Sequence, residues 1–266
     1  MQFAMPPLTP VTKKLMILNV GIFLVSWLLS LAAPGFYRGL EGFFWLSPAQ
    51  WADWFPLLPV WQLVTHGFMH SAQDPSHVLW NMVQLYFFGT MLEGMIGSRR
   101  FLITYMLCMF AGGLLHVFVE LATGAPNPAL GASGAALGIV VAAATMRPRS
   151  SVLLIFIPVM LWVLAAGIVA LNFINAVSEL VNQTSSGVAY WVHLGGAAYG
   201  FLCVRMGWIQ IDWIERWTAK RAVAVENTRR EDDLQMDRLL EKIHKEGMAN
   251  LTRAERAFLK RSSQRK

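Results

Sequence analysis

Six apolar runs constrain this chain more than any other feature of its sequence. They cover residues 15–33, 77–96, 101–121, 133–146, 152–174 and 188–204. Because 55% of all residues are hydrophobic and only 14% are charged, the composition is far from that of a soluble domain. We therefore predict an all-α membrane protein with six transmembrane helices. No small-residue cleavage pattern follows the first run, so we expect a retained helix rather than a signal peptide.

The fourth run is too short to cross a bilayer. From Ser133 to Met146 it contains about 14 residues. A helix of that length measures ~20 Å, whereas the hydrocarbon core of a membrane is ~30 Å thick. Pro126 and Pro128 keep the preceding segment out of helix. We therefore expect a short central helix that begins at Ser133 inside the membrane, on irregular backbone that lipid tolerates only beside protein or water.

The basic residues predict an orientation. With both termini in the cytoplasm, nearly all lysines and arginines between the runs fall on that side, and Arg38 is left outside. Ser133 then faces the outer half of the membrane. The net charge of +6 is explained by this distribution, so we expect no nucleic-acid partner.

Two domains are predicted, a membrane core over 1–207 and a charged helical tail over 208–266. Within the core, segment 34–76 is an aromatic-rich interfacial loop, either an ordinary aromatic belt or also the wall of a substrate entrance. In the tail, Gly247 ends one helix, and Thr252 with Glu255 forms a capping box for another. The tail is either a solvated appendage or a regulatory or partner-binding element.

Ser133 and His193 form the strongest candidate pair for chemistry. An ionisable side chain within an apolar run is costly, so His193 indicates a partner or a function. Small residues lie on the same helix face as each of the two, namely Gly134 and Gly138 after Ser133, and Gly196 and Gly200 after His193. Two such faces approach closely, which allows a serine oxygen to reach an imidazole nitrogen at ~3 Å, as an activated nucleophile requires.

A second polar pair begins the second apolar run. His77 and Asn81 are four residues apart and therefore share a helix face. Both side chains can donate hydrogen bonds, and the amide of Ser133 at a helix N-terminus is a third donor. Such a set of donors suits the stabilisation of an oxyanion.

We expect structural roles for the remaining polar residues that lie in apolar surroundings. His66 and His70 have metal-ligand spacing, but Gly67 replaces the acid of a zinc protease, so we expect them to bond the loop in place and predict no metal or other cofactor. We expect His116 to bind a backbone carbonyl and Glu93 to hold helix ends. Cys108 and Cys203 are predicted to be small core residues that form no disulfide, so we assign them a packing role only.

Together these residues resemble the rhomboid family of intramembrane serine proteases, from about Trp61 to Gly200. The motifs that carry the resemblance are Gly131, Ala132, Ser133 and Gly134; His193, Gly196 and Gly200; and His66, His70, His77, Asn81, Gly89, Glu93 and Gly97. The resemblance implies a six-helix rhomboid-like bundle in which Ser133 is the nucleophile and His193 its general base. His77, Asn81 and the Ser133 amide would stabilise the oxyanion.

The implied function is that of an intramembrane serine endopeptidase that cuts transmembrane or juxtamembrane segments of membrane proteins within the bilayer, without a cofactor. The fifth helix would form part of a lateral gate loosened by Pro158, Asn172 and Asn175, although Pro158 is equally consistent with an ordinary kink. The charged tail is similar to a helical extension of some bacterial members, which favours a bacterial cell (inner) membrane. The oligomeric state stays open.

Three departures from the family pattern concern geometry and substrate preference. Gln62 follows Trp61 where an arginine is usual, Leu137 replaces an aromatic residue one turn after the nucleophile, and Asp74 and Pro75 lengthen the segment before His77. The alternative to a protease is a non-proteolytic rhomboid-like membrane scaffold. A transporter is less favoured because no internal repeat is evident.

Overall fold

The computed structural model describes residues 7–124, 127–154, 157–210, 213–248 and 251–263. The chain separates into two compact units, Met1–Ile211 and Asp212–Lys266. The assignment of these parts to a protease core and an appended tail stays a prediction.

The first unit begins with a lipid-facing helix and an interfacial segment. Helix α1 spans Pro10–Ala32, and the segment that follows contains α2 (Pro34–Phe44), α3 (Pro48–Asp53), α4 (Gln62–Thr65) and a 3-10 turn (His66–Phe68). The buried stripe of α1 includes polar residues such as Thr12 and Asn19, while Leu24 and Leu28 are exposed. An apolar outer face with a partly polar inner one is expected of a helix whose surroundings are lipid.

The remaining helices of this unit surround one short helix. They are α5 (Pro75–Gln84), a π-helical turn (Leu85–Gly89), α6 (Thr90–Ile96), α7 (Ser98–Thr123), α8 (Ser133–Met146), α9 (Leu161–Asn182), α10 (Tyr190–Arg205) and a 3-10 turn (Trp208–Gln210). Among the described helices, α1, α7 and α9 are long and apolar enough to cross a membrane by length and composition. The fold is thus a mostly helical membrane protein, and the count of six spans stays a prediction.

Helix α8 is the short central helix that the sequence predicts. It has 14 residues, and every residue from Gly134 to Ala144 is buried. A helix that is apolar and buried all round lies inside a bundle. Its main neighbours are α7 and α10, and a Cβ placed on Gly138 would lie only 2.7 Å from the carbonyl oxygen of Gly196. The helices therefore approach each other at glycine positions.

The fifth apolar run differs from the prediction of one helix beginning at Val152. Its first part is an antiparallel hairpin of β1 (Ser151–Leu154) and β2 (Ile157–Met160), in which Leu154 pairs with Ile157. Pro158 lies in β2, ahead of α9, so it does not kink that helix. Since proline lacks an N–H and β-branched residues favour strands, α9 begins only after this stretch.

The second unit contains α11 (Trp213–Glu246) and α12 (Arg253–Ser263). Leu239, Leu251 and Phe258 form its small apolar cluster. The predicted capping box is present, because the Thr252 amide donates to Glu255 Oε2 at 2.7 Å and the Glu255 amide donates to Thr252 Oγ1 at 3.3 Å. Gly247 has a φ of 85° immediately after α11, as predicted for a helix end.

Candidate active site

Ser133 and His193 meet across the α8–α10 interface. Ser133 is the first residue of α8, and its Oγ lies 2.6 Å from Nε2 of His193 on α10. The distance is that of a strong hydrogen bond between a hydroxyl and an imidazole nitrogen. The predicted pair is therefore in reach of proton transfer, and its catalytic role stays a prediction.

The backbone in front of Ser133 has a conformation that favours glycine. Gly131 has a φ of 111°, and a Cβ placed on it would lie 2.6 Å from Nε2 of His77. The Gly131 amide donates to the carbonyl oxygen of His66 at 2.9 Å. Leu46 and Ala129 form an antiparallel bridge that fixes the same segment to the interfacial loop. Pro128 lies outside helix as expected, and Pro126 lies outside the described residues.

The candidate oxyanion donors lie beside this turn. Nδ2 of Asn81 is 3.6 Å from the same Cβ position on Gly131, which places both α5 side chains next to the N-terminus of α8. Asn81 is buried, and its Nδ2 donates to His70 Nε2 at 3.1 Å. The structure thus brings His77, Asn81 and the start of α8 together, as the spacing of the α5 pair predicts.

The glycines predicted to pack around the site lie between its helices. A Cβ on Gly134 would lie 2.8 Å from the Val192 carbonyl oxygen. A Cβ on Gly196 would meet the carbonyl oxygen of Gly134, and one on Gly200 would meet that of Gly138. Each glycine faces backbone of the opposite helix, so even a methyl group requires the helices to separate.

A third side chain, for which the sequence analysis predicted a different role, completes this arrangement. Asn172 on α9 lies with Oδ1 2.6 Å from Nδ1 of His193. We expected Asn172 only to loosen a gate helix. An asparagine in an apolar helix is itself a signal for a hydrogen-bonded partner. The carboxylates of Glu120 and Glu179 have other partners, the Asn127 amide for Glu120 and the Ser186 amide for Glu179.

The structural roles predicted for the other polar residues are present. Nδ1 of His66 donates to the Gln62 carbonyl oxygen at 2.7 Å, and His116 Nε2 lies 2.9 Å from the Asn127 carbonyl oxygen. Glu93 accepts hydrogen bonds from the Val11 and Thr12 amides at 2.9 and 2.8 Å and from Ser98. No cluster of three potential metal ligands occurs within the described ranges.

The departures at Gln62 and Asp74 have local explanations. Gln62 is fully buried, accepts from the Ser47 amide at 3.1 Å and donates to Gln50 at 2.7 Å. A neutral amide network therefore anchors the loop. Asp74 caps α5, whose first residue is Pro75, and its hydrogen bonds from the Ser76 side chain and amide hold the pKa of Asp74 below its usual range.

Comparison with known proteins identifies the family. Residues 58–210 match the Rhomboid domain, and residues 225–265 match a family of unknown function (DUF6576). Since the first match covers more than half of the chain, the chain belongs to the rhomboid family.

Several named relatives are similar to this chain. The presenilin-associated rhomboid-like protein, mitochondrial, of Rattus norvegicus is 26% identical over 65% of this chain and 44% of its own length. Rhomboid protein 1, mitochondrial, of Saccharomyces cerevisiae is 32% identical over 59% of this chain and 44% of its own. RHOMBOID-like protein 12, mitochondrial, of Arabidopsis thaliana is 28% identical over 51% of this chain and 43% of its own length. The chain thus spans less than half the length of these relatives.

The predicted location in a bacterial cell membrane is wrong by this comparison. The relatives from rat, yeast and Arabidopsis are all named as mitochondrial proteins, and this finding overturns the prediction. The error arose because neither observation behind the prediction identifies a particular membrane. The distribution of basic residues indicates only the orientation of the chain, and the similarity of the tail to a bacterial extension is only a similarity of sequence. The membrane nature of the protein is unaffected.

Proposed function

We propose that this protein is an intramembrane serine endopeptidase that cleaves transmembrane or juxtamembrane segments of membrane proteins. The observation that carries the proposal is the 2.6 Å contact between Ser133 Oγ and His193 Nε2, made at the start of a buried apolar helix. A serine is a weak nucleophile until an adjacent base accepts its proton, and this contact supplies the base.

The reaction follows from these two side chains. Ser133 Oγ attacks the scissile carbonyl carbon while its proton moves to His193 Nε2, and a tetrahedral intermediate forms. His193 then gives the proton to the leaving amine as the peptide C–N bond breaks. Water then attacks the acyl carbon while His193 takes its proton; the bond from that carbon to Ser133 Oγ breaks, His193 returns the proton to Oγ, and the carboxyl product leaves.

The oxyanion is assigned to donors around Gly131. They are the Ser133 amide, His77 and Asn81. Asn81 gives one of its two amide hydrogens to His70, and the second hydrogen can serve the oxyanion. Loss of one donor of this kind costs about 3 kcal/mol in the transition state. Asn81→Ala therefore lowers kcat by about 10²-fold.

Covalent labelling by a fluorophosphonate probe tests the proposal. Purified wild type, Ser133→Ala and His193→Ala are compared in detergent, together with cleavage of a model transmembrane substrate. We expect both variants to remain folded and to lose labelling and cleavage. Cleavage that persists in folded Ser133→Ala contradicts the proposal, and a folded wild type that neither labels nor cleaves favours the non-proteolytic scaffold.

A further inference from the structure

Both ring nitrogens of His193 are engaged, and the two contacts lead to different helices. Nε2 faces Ser133 Oγ on α8, and Nδ1 faces Asn172 Oδ1 on α9, each at 2.6 Å. The same asparagine donates through Nδ2 to the carbonyl oxygen of Ile168 at 2.8 Å. A continuous set of hydrogen bonds therefore runs from the backbone of α9 through the imidazole to the serine.

The direction of each hydrogen bond follows from the contact between Asn172 and the Ile168 carbonyl oxygen. A carbonyl oxygen only accepts, so the Asn172 group that faces Ile168 must be the NH₂ group. The amide oxygen then faces His193, and because it cannot donate, Nδ1 of His193 carries the proton. The neutral ring is left with its lone pair on Nε2, opposite Ser133. This is the tautomer that a general base for the serine needs.

Nearby side chains offer little alternative support for the ring. Leu137, one turn after Ser133, is buried and has no polar atom. Glu120 and Glu179 are bound to Asn127 and Ser186. Tyr190 lies edge-on to the imidazole with ring centroids 6.3 Å apart, too far for its ring to fix a tautomer. Among the described residues, the acceptor that Nδ1 of His193 contacts is Oδ1 of Asn172.

We propose that Asn172 is a positioning residue that holds His193 in the tautomer and orientation required to deprotonate Ser133. This inference rests on the proposed protease function and deepens it. Asn172 acts through His193 and does not touch the reacting atoms. Its role resembles that of any group that orients a base by binding the second ring nitrogen.

The same contact makes the active site depend on the position of α9. Within α9 the buried residues are Leu161, Ala165 and Ala176, and most of the helix surface is exposed. Asn172 thus links α9, which is lightly packed, to the buried α8–α10 pair through a hydrogen bond to His193. If α9 moves away from α10, His193 loses the hydrogen bond that fixes its proton on Nδ1.

Two substitutions at position 172 separate positioning from packing. Asn172→Leu keeps the branched shape and the number of side-chain heavy atoms but removes the acceptor, whereas Asn172→Asp keeps an acceptor and adds a negative charge. Asn182→Ala is the matched control, because Asn182 is an exposed asparagine on the same helix and its side chain donates only to Ser178 among the described contacts. Cleavage of a model transmembrane substrate is measured as kcat and KM across pH, and folding is monitored by size-exclusion chromatography and thermal melting.

We expect Asn172→Leu to lower kcat by about 10- to 100-fold with little change in KM. A general base contributes about 10²–10⁴-fold, and this change misorients the base without removing it. Asn172→Asp should retain activity, with the acid limb of its kcat/KM profile moved to higher pH by about one unit, because a carboxylate favours the imidazolium. His77 and His116, the other ionisable groups that act on the charge of His193, are unchanged, and so is Tyr190, whose ring lies edge-on to the imidazole. Asn182→Ala should behave as wild type.

Each outcome discriminates. Wild-type kcat in Asn172→Leu overturns the positioning role, and so does an acid limb that does not move in Asn172→Asp. If Asn172→Leu fails to fold, the profile of Asn172→Asp decides alone. Ser133→Ala in the same assay separates the two proposals: its cleavage of the substrate defeats both, whereas an inactive Ser133→Ala beside a fully active Asn172→Leu defeats only the second.

Discussion

At the scale of single residues, the site depends on one backbone conformation in front of the nucleophile. Gly131 combines a φ of 111° with close approach to His77. Other residues rarely adopt this conformation, and a side chain at this position would occupy the space of the imidazole. The turn therefore sets both the direction of α8 and the place of a candidate oxyanion donor.

Gly131→Ala should abolish cleavage, because the added Cβ would displace His77 in addition to straining the turn. The control is Gly124→Ala, since Gly124 also has a positive φ, 70°, but no heavy atom lies within 4 Å of its Cβ position. That variant should lose some stability and keep its activity. Thermal melting and cleavage assays compare the two, and an active Gly131→Ala would show that His77 need not lie at this turn.

Residue types and spacing predicted much of this neighbourhood. Four-residue spacing placed His77 and Asn81 on one face, and glycine stripes brought Ser133 to His193. Asn172 was missed as a partner for a physical reason. An apolar helix without a strong polar face does not reveal which side meets its neighbour, and the start of α9 had been placed at Val152 instead of Leu161.

At the scale of helices, the contact between α8 and α10 is set by glycine. A Cβ on Gly196 would lie 2.8 Å from the carbonyl carbon of Gly134 and closer still to its oxygen. Because backbone atoms cannot rotate away, relief requires the helices to separate. Ser133 and His193 are on these two helices, so their contact depends on the same spacing.

Gly196→Ala should therefore lower both stability and activity. Overpacking of this kind costs about 1–3 kcal/mol in the free energy of unfolding, and fluorophosphonate labelling should fall because the serine and imidazole are drawn apart. Gly167→Ala on α9 is the control, since no heavy atom lies within 4 Å of its Cβ position. Equal labelling of the two variants would contradict the account.

The hairpin before α9 is the secondary structure that could not be predicted from the sequence. A short apolar stretch with β-branched residues is compatible with a buried helix and with a strand, and periodicity does not separate them. In the folded chain this stretch forms two strands, which pair from Ser151 with Met160 to Leu154 with Ile157. The short length of α8, by contrast, was predictable because a charged and proline-containing boundary follows it.

At the scale of the whole molecule, the candidate chemistry lies within the first unit. The hydrogen bonds described for Ser133, His193, Asn172 and Asn81 are all made by residues before position 211. The Rhomboid match ends at residue 210, and the second match begins at 225.

Truncation after Gln210 should therefore leave labelling and cleavage at the level of the full chain. Removing the tail takes away neither a reacting group nor a described hydrogen bond of the site. The measurement compares the labelling rate of folded truncated and full-length protein in detergent. A large loss of labelling in a folded truncated protein would give the tail a part in the chemistry.

Glu93 connects the fold to the order in which the protein is assembled. Its carboxylate accepts the backbone N–H groups of Val11 and Thr12 in the first turn of α1. Helix α1 is thus synthesised before the segment that carries the cap of its first turn. Until α6 has been inserted, the N–H groups of that first turn must bind water or lipid headgroups, so α1 reaches its final hydrogen bonding only once α6 is in place.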